Sequence, residues 1–262
     1  MAKIFITGSA EGLGSLSAQA LVKRGHSVVL HARNAQRAED ARKACPGAKD
    51  VYIADLSSME QTRRLASQLN DNGPWDAIVH NAGIMRTSGS SGSGSGSGSG
   101  EDSLPPLFAS NTMAPYLLTS LVDPPPKRYV FVSSGMHFGG NAADSALERP
   151  EKGCSYSDSK LHDAMLSSWF SRSLAAKGVT CNVLDPGWVP TKMGGSGAPE
   201  DINASVATYV LLAEGGGAAE GQSGKYWKSS QPKKCKPEVE DEAKQQKLIA
   251  SLTRITGVSP PS

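Results

Sequence analysis

A doubly wound α/β sheet is the fold that this chain of 262 residues predicts, and three observations predict it. Short runs of aliphatic and β-branched residues alternate with amphipathic stretches of helical length along most of the chain. The runs are nearly continuous in apolar character, as strands covered on both faces are, rather than alternating in and out. A glycine-rich turn follows the first run and opens the first helical stretch, the junction expected at the head of a parallel sheet.

The elements follow in order. Residues 3–7 (Lys-Ile-Phe-Ile-Thr) form the first predicted strand, and residues 12–24 the first helix. Strands at 27–31, 50–54, 75–80, 128–133 and 179–184 alternate with helices at 35–44, 59–69, 104–121 and 156–177. A turn-rich segment then leads to a helix at 201–213, a short strand at 225–227 and a last amphipathic helix at 239–256. Right-handed crossovers wind such a series into a Rossmann-like parallel sheet. One domain over residues 1–262 is expected, with no internal repeat. Residues 88–100 (SGSSGSGSGSGSG) stand apart and are read as a flexible coil outside the core. Their strict alternation reads as an engineered linker in place of a native loop, with natural low complexity as the other reading.

Bulk composition narrows the function classes. The chain has 27 Lys and Arg against 25 Asp and Glu, a net charge of +2, too balanced for a protein that neutralises many nucleic-acid phosphates. A hydrophobic share of 38 % beside 20 % charged residues fits a globular protein. No apolar run approaches the ~20 residues that cross a bilayer, and the N-terminus enters directly into strand-like sequence. A cytoplasmic protein with no membrane or nucleic-acid partner is the expectation. Cys45, Cys154, Cys181 and Cys235 match no zinc or redox spacing and are read as reduced thiols. No metal site is expected.

Chemistry enters at Thr7-Gly8-Ser9-Ala10-Glu11-Gly12-Leu13-Gly14, between the first strand and first helix. Glycines there let backbone approach a pyrophosphate, and the helix N-terminus favours the anion. The spacing is Gly-x3-Gly-x-Gly. Asp55-Leu56 ends the third strand, His80-Asn81-Ala82-Gly83 the fourth, and Val132-Ser133-Ser134 the fifth. Asn111 lies in the helix between the fourth and fifth strands. Tyr156-x3-Lys160 opens the next helix, and Asp185-Pro186-Gly187-Trp188-Val189-Pro190-Thr191 follows the sixth strand. Tyr156 and Lys160, four apart, share one helix face. An ammonium beside a phenol of ordinary pKa near ~10 favours the phenolate and suits the pair to acid–base exchange.

In order and spacing these elements resemble the short-chain dehydrogenase/reductase family, classical type. The resemblance implies Tyr156 as proton donor to a carbonyl oxygen, Lys160 as holder of the nicotinamide ribose, Ser134 as hydrogen-bond partner of the substrate oxygen, and Asn111 as organiser of a water chain toward Lys160. It chooses Ser134 over Ser133, since alternation lets only one of them face the site. It further implies a cofactor bed of Gly8, Ser9, Gly12, Leu13, Gly14, Arg33, Asn34, Asp55, Leu56, Asn81, Ala82, Gly83, Pro186, Gly187, Val189 and Thr191, joined by Tyr156 and Lys160. His80 departs from the family's first asparagine at that place.

The second strand ends His31-Ala32-Arg33-Asn34 without the acid that would bind a ribose 2′-hydroxyl, and Arg33 suits a 2′-phosphate. NADP(H) is therefore expected over NAD(H), although Glu11 stands where many NADP-using relatives carry a basic residue. The expected activity is reduction of a small carbonyl to an alcohol. A family-like scaffold with a non-redox role is the other reading. Residues 136–154 lengthen the Ser134-to-Tyr156 spacing to 22, similar to retinol-dehydrogenase-like branches, and are expected to loop over the substrate pocket. Met136, His137, Phe138, Trp188 and Met193 are candidate pocket walls, with His137 read as most often solvated. Residues 193–197 are expected to be a flexible lid. His162 and Cys181 read as structural, and residues 233–236 as a solvated basic loop. The resemblance implies pairing with further copies, a homodimer or homotetramer, through the helices at 104–121 and 156–177.

Overall fold

The computed structural model describes residues 1–85 and 104–261, so the expected linker at 88–100 lies outside the described residues. Eight strands form one sheet in the order β3-β2-β1-β4-β5-β6-β7-β8. They are β1 (Lys3–Ile6), β2 (Ser27–Ala32), β3 (Asp50–Ile53), β4 (Ala77–His80), β5 (Arg128–Val132), β6 (Thr180–Leu184), β7 (Tyr226–Lys228) and β8 (Gln231–Lys233). The first seven run parallel, and β8 pairs antiparallel to β7. The order reverses between β1 and β4. Such a reversal places the ligand-binding position of these sheets at the carboxyl ends of the strands.

Apolar side chains on both faces explain the near-continuous runs. In β1, Ile4 and Ile6 point to one layer and Phe5 to the other, all three fully buried. One layer holds α1 (Gly12–Lys23), α2 (Ala35–Ala44) and α8 (Ile202–Glu214), through residues such as Leu21, Ala38 and Tyr209. The other holds α3 (Met59–Asp71), α5 (Ala114–Leu121), α7 (Tyr156–Ser173) and α9 (Glu242–Thr256), through Leu65, Leu117, Leu166 and Leu248. The helix expected at 104–121 is built in three parts: a short α4 (Pro106–Phe108), a π turn at Ala109–Met113 and α5.

Three expectations need correction. Strand β8 was not foreseen. It returns from β7 through Ser229 and Ser230, both at positive φ (51° and 58°), the geometry of a tight hairpin turn. Serines give a weak sequence signal for that turn, and Pro232 argues against a strand anywhere but on an edge. The stretch 136–154 does not lie as a whole over the pocket. It begins as a 3-10 turn (Gly135–Gly139), and its second half folds into α6 (Asp144–Glu148), which packs on α9. Lys247 bonds Asp144 there, and Ser251 and Arg254 bond the carbonyl of Glu148. His137, read as solvated, is fully buried.

Helix α9 also lies across the two helices expected to pair with a second copy. The Tyr116 hydroxyl of α5 bonds Thr253 at 2.9 Å and the Val258 carbonyl at 2.7 Å, and Gln245 of α9 donates to Ser168 of α7 at 3.0 Å.

Candidate active site

The loop between β1 and α1 is held from below. Gly8 N–H donates to Nδ1 of buried His31 at 2.9 Å, which leaves Nε2–H to donate to the Ala54 carbonyl at 3.0 Å. Burial keeps that imidazole neutral by pulling its pKa down to about 4. Thr7 Oγ1 accepts from both Asn81 N and Ala82 N at 2.9 Å. The Asn81 amide in turn donates to the carbonyls of Thr7 and Gly8, and its oxygen accepts from the Tyr209 hydroxyl at 2.8 Å. These contacts clamp the glycine loop to the end of β4. Gly8, at φ +62°, sits so close to Ala82 that a Cβ would lie 2.7 Å from its Cα, and a Cβ on Gly14 would lie 2.5 Å from Asn81 Nδ2. Helix α1 begins at Gly12 with Glu11 as N-cap, and no side chain caps it. Its first amides and the dipole they end therefore face outward beside Leu13.

A second group assembles where α7 meets β4 and β5. Ser155 and Asp158 form a capping box, so Tyr156 and Lys160 occupy the first turns of a firmly started helix. Lys160 is buried. Its Nζ donates to the Val132 carbonyl and to Asp163 Oδ2, each at 2.8 Å, and lies 5.6 Å from the centroid of the Tyr156 ring. Gly83 adjoins it: a Cβ there would sit 3.4 Å from Lys160 Nζ and 3.5 Å from Asn111 Oδ1. Asn111 occupies the π turn, a local widening that often marks functional sites. Its amide bonds both N and O of Ile84 and donates to Ser159 Oγ at 3.0 Å. The two serines part as alternation requires. Ser133 is buried with Oγ on the Lys160 carbonyl at 2.7 Å, whereas Ser134 is half-buried and its Oγ accepts from Met136 N.

A family model described as short chain dehydrogenase matches residues 2–201. The chain belongs to the short-chain dehydrogenase family. An oxidoreductase of Emericella nidulans is 39 % identical over 262 residues, covering 100 % of this chain and 99 % of that protein. The short-chain dehydrogenase chyC of Penicillium rubens is 37 % identical over 270 residues, covering all of both. Among solved structures, a Mycobacterium paratuberculosis protein superposes with TM-score 0.79 at 22 % identity, covering 100 % of this chain and 96 % of its own. The Pseudomonas aeruginosa RhlG/NADP complex superposes with TM-score 0.64 at 23 % identity, covering 86 % of this chain and 93 % of its own.

Short-chain dehydrogenases bind a nicotinamide cofactor, and this chain's residues fit one: an uncapped helix N-terminus, a loop in which Gly8 and Gly14 have no room for a side chain, and a glycine, Gly83, against a buried lysine. The other residues of the expected bed divide by what their side chains do. Arg33 is exposed at the end of β2. Asn34 is exposed too, but its amide oxygen caps α2 on Arg37 N at 2.9 Å. The Ser9 hydroxyl is buried between Ile6 O and His31 N, so only its backbone is left for a ligand. Asp55 turns Oδ1 to Ser57, and Leu56 is buried below it. Pro186, Gly187 and Val189 leave the end of β6, where Asp185 Oδ1 accepts from Gly187 N at 2.8 Å.

In the segment expected as a flexible lid, hydrogen bonds tie Gly194 back to Trp188 and Thr191. Trp188 Nε1 donates to Gly194 O and Thr191 Oγ1 accepts from Gly194 N, while Glu200 holds Trp188 N and Lys228. His137 does not face solvent: Nδ1 lies 2.8 Å from Ser134 O and Nε2 accepts from Lys236 N at 3.1 Å.

Three contributors escaped sequence reading. His31 and Tyr209 act through strand and helix packing, for which local pattern carries no signal. Arg37 pairs with Glu11, and Lys192 lies 3.8 Å from the same carboxylate, so the acid that spoke against NADP is compensated. Among the described residues there is no His, Cys, Asp and Glu grouping fit for a metal, and no helix long and apolar enough to cross a membrane.

Replacing Gly14 by alanine is expected to weaken cofactor binding about tenfold, because the new methyl forces the Asn81 clamp or the Gly8 peptide aside at a cost of about 1–3 kcal/mol. Fluorescence titration of the cofactor against the purified variant checks this; unchanged affinity would show that the loop tolerates the displacement.

Proposed function

We propose that the chain is an NADP(H)-dependent carbonyl reductase acting on a small apolar ketone or aldehyde. One observation carries the reading: a buried lysine, a tyrosine on the same helix face, and a π-turn asparagine converge beside a side-chain-free residue at the carboxyl edge of β4 and β5. The cofactor, when bound, supplies hydride to the carbonyl carbon or takes it back. This chain's residues do the rest. Gly12 and Gly14 present backbone amides to the diphosphate, Gly8 turns the loop beneath it with its own amide held by His31, and Lys160 orients the ribose. The half-buried Ser134 hydroxyl donates to the carbonyl oxygen and polarises it, while Tyr156 gives that oxygen its proton through the phenol O–H. Thr191 and Val189 flank the nicotinamide end.

The substrate class follows from the rim. Eight large apolar side chains are exposed among the described residues, and five of them, Met85, Met136, Phe138, Trp188 and Met193, follow the carboxyl ends of β4, β5 and β6. Apolar surface gathered at one edge marks a binding site more often than chance exposure does. It favours an apolar body on the substrate over a phosphorylated or charged one.

Exposed Arg33, with Glu11 neutralised by Arg37, supports NADP(H) over NAD(H). Loss of a charged hydrogen bond to phosphate is worth about 1.5–3 kcal/mol, so Arg33→Ala should weaken NADPH by about ten- to a hundredfold. NADH, lacking the 2′-phosphate, should move less than about twofold on the same argument. Equal losses for both cofactors in parallel titrations would remove the assignment.

A further inference from the structure

The residue three places after Lys160 plays no part in the reading above, yet it is the lysine's one ion-pair partner among the described residues. Lys160 Nζ and Asp163 Oδ2 are 2.8 Å apart, with side chains only 5 % and 3 % exposed. We propose that Asp163 is a positioning residue that anchors the Lys160 ammonium and offsets its charge at Tyr156, keeping the phenol in the protonated form that carbonyl reduction consumes. The inference rests on Tyr156 being the proton donor.

The physical reason lies in what each partner does to the phenol. A lone ammonium in a buried site favours phenolate strongly, because neither water nor salt screens it. An ammonium paired with a carboxylate acts at a distance as a dipole, whose field falls off faster than that of a charge. The proton for the carbonyl oxygen must come from a phenol, so an acid catalyst at neutral pH is served by a weakened field rather than the full one. Two of the three ammonium hydrogens go to Asp163 and to the Val132 carbonyl, which fixes the third in direction.

The surroundings leave the compensation to this one pair. Burial works against the Lys160 ammonium, but Asp163 first and Tyr156 second outweigh it, and the net direction is up. Burial pushes the Asp163 carboxyl up to about 6 against the pull of Lys160, so it is ionised at neutral pH. From the loop before α7, the Cys154 thiol is pushed up by burial and by Asp158 and Asp163, and stays neutral. His162, next along the helix, is buried and neutral against Thr112 of the π turn. On the α8 side Tyr209 is pushed up by burial and then by Tyr156. Beyond the end of β6, Asp185 faces Tyr226 of β7 and raises that phenol. From α9, Glu242 pairs with Arg172 at the far end of α7.

The test uses the whole chain. Asp163→Asn keeps a hydrogen-bond acceptor for Lys160 and removes the charge. The alkaline limb of the reduction profile should then move toward acid by about one pH unit or more, equal to about tenfold in rate on that limb. Without cofactor, tyrosinate absorbance should appear at lower pH in Asp163→Asn than in wild type, and the difference should vanish in Tyr156→Phe/Asp163→Asn. An unmoved profile and unmoved absorbance overturn the proposal.

Removing one partner of a buried pair is costly, so a second variant guards against an Asn protein that does not fold. In Lys160→Met/Asp163→Leu both charges go together. If they cancel in the wild type, tyrosinate formation stays where it was; a shift to higher pH would show that the ammonium acts uncompensated. Full turnover by Tyr156→Phe would sink the parent reading instead, whereas an inactive Tyr156→Phe with an unmoved Asp163→Asn profile sinks this inference alone.

Discussion

Replacing Tyr156 by phenylalanine should cost carbonyl reduction about 10²–10⁴-fold in turnover, the usual contribution of a placed general acid, with cofactor affinity changed by less than about twofold. The substitution removes one oxygen and keeps the ring 5.6 Å from the Lys160 ammonium. Lys160 keeps its bonds to Val132 O and Asp163, and the capping box at Ser155 and Asp158 that starts the helix is untouched. The loss should therefore fall on kcat rather than on binding, the mark of an interaction made with the reacting group. Steady-state NADPH consumption with an apolar ketone panel, beside fluorescence titration of NADPH, separates the two. Turnover within twofold of wild type would show that the proton comes from elsewhere.

Acidification should unfold the protein well before its carboxylates are exhausted. His31, His80 and His162 are buried, and burial lowers their pKa from 6.5 to about 4, about 3 and about 4. The unfolded chain binds those protons near pH 6.5 and the folded chain does not. The stability they contribute is complete above pH 6.5 and is lost as pH falls toward 4 and 3. Asp163 works the other way. Its carboxyl is raised from 3.8 to about 6, so the folded chain takes up that proton first and gains stability as pH falls from 6 toward 4.

Three protons against one leave a net of about two, or roughly 3 kcal/mol lost per pH unit between pH 6 and 4. That is a large share of the ~5–15 kcal/mol typical of a folded domain. Urea unfolding at pH 7, 6, 5 and 4.5 measures the slope, and a flat curve above pH 4.5 would show that these imidazoles protonate within the fold. The loss should also reach the cofactor. Protonated His31 cannot accept from Gly8 N–H, so cofactor affinity of the folded protein should fall as pH approaches 4, where that imidazole takes up its proton.

Much of this was legible in the chain. The strand and helix alternation, the glycine loop and the order of the site motifs depend on neighbours a few residues apart. Tyr156 and Lys160 share a face wherever α7 sits, because 3.6 residues per turn guarantees it. The capping box is local too, and so is the rule that only one of Ser133 and Ser134 can point inward. Even Asp163 stands at a helical spacing from Lys160 that signals contact.

Other features were hidden because they depend on what packs over them. No local pattern shows that His137 is buried under Lys236, ninety-nine residues away, or that α6 leaves the pocket for α9. The hairpin turn at Ser229 and Ser230 is held by Thr208 of α8, whose hydroxyl accepts from Ser230 N.

By itself the sequence determined the doubly wound sheet and the order in which candidate residues meet the strand ends, since both follow from short-range periodicity and turn chemistry, and its motifs resembled the family to which the chain belongs. Tertiary structure alone decided the electrostatics. Glu11 is neutralised by Arg37 from the next helix, His31 is kept neutral beneath the glycine loop, and Lys160 and Asp163 are sealed from water as a pair. A charge takes its energy from the dielectric and the partners around it, and those exist only once distant segments have closed over it.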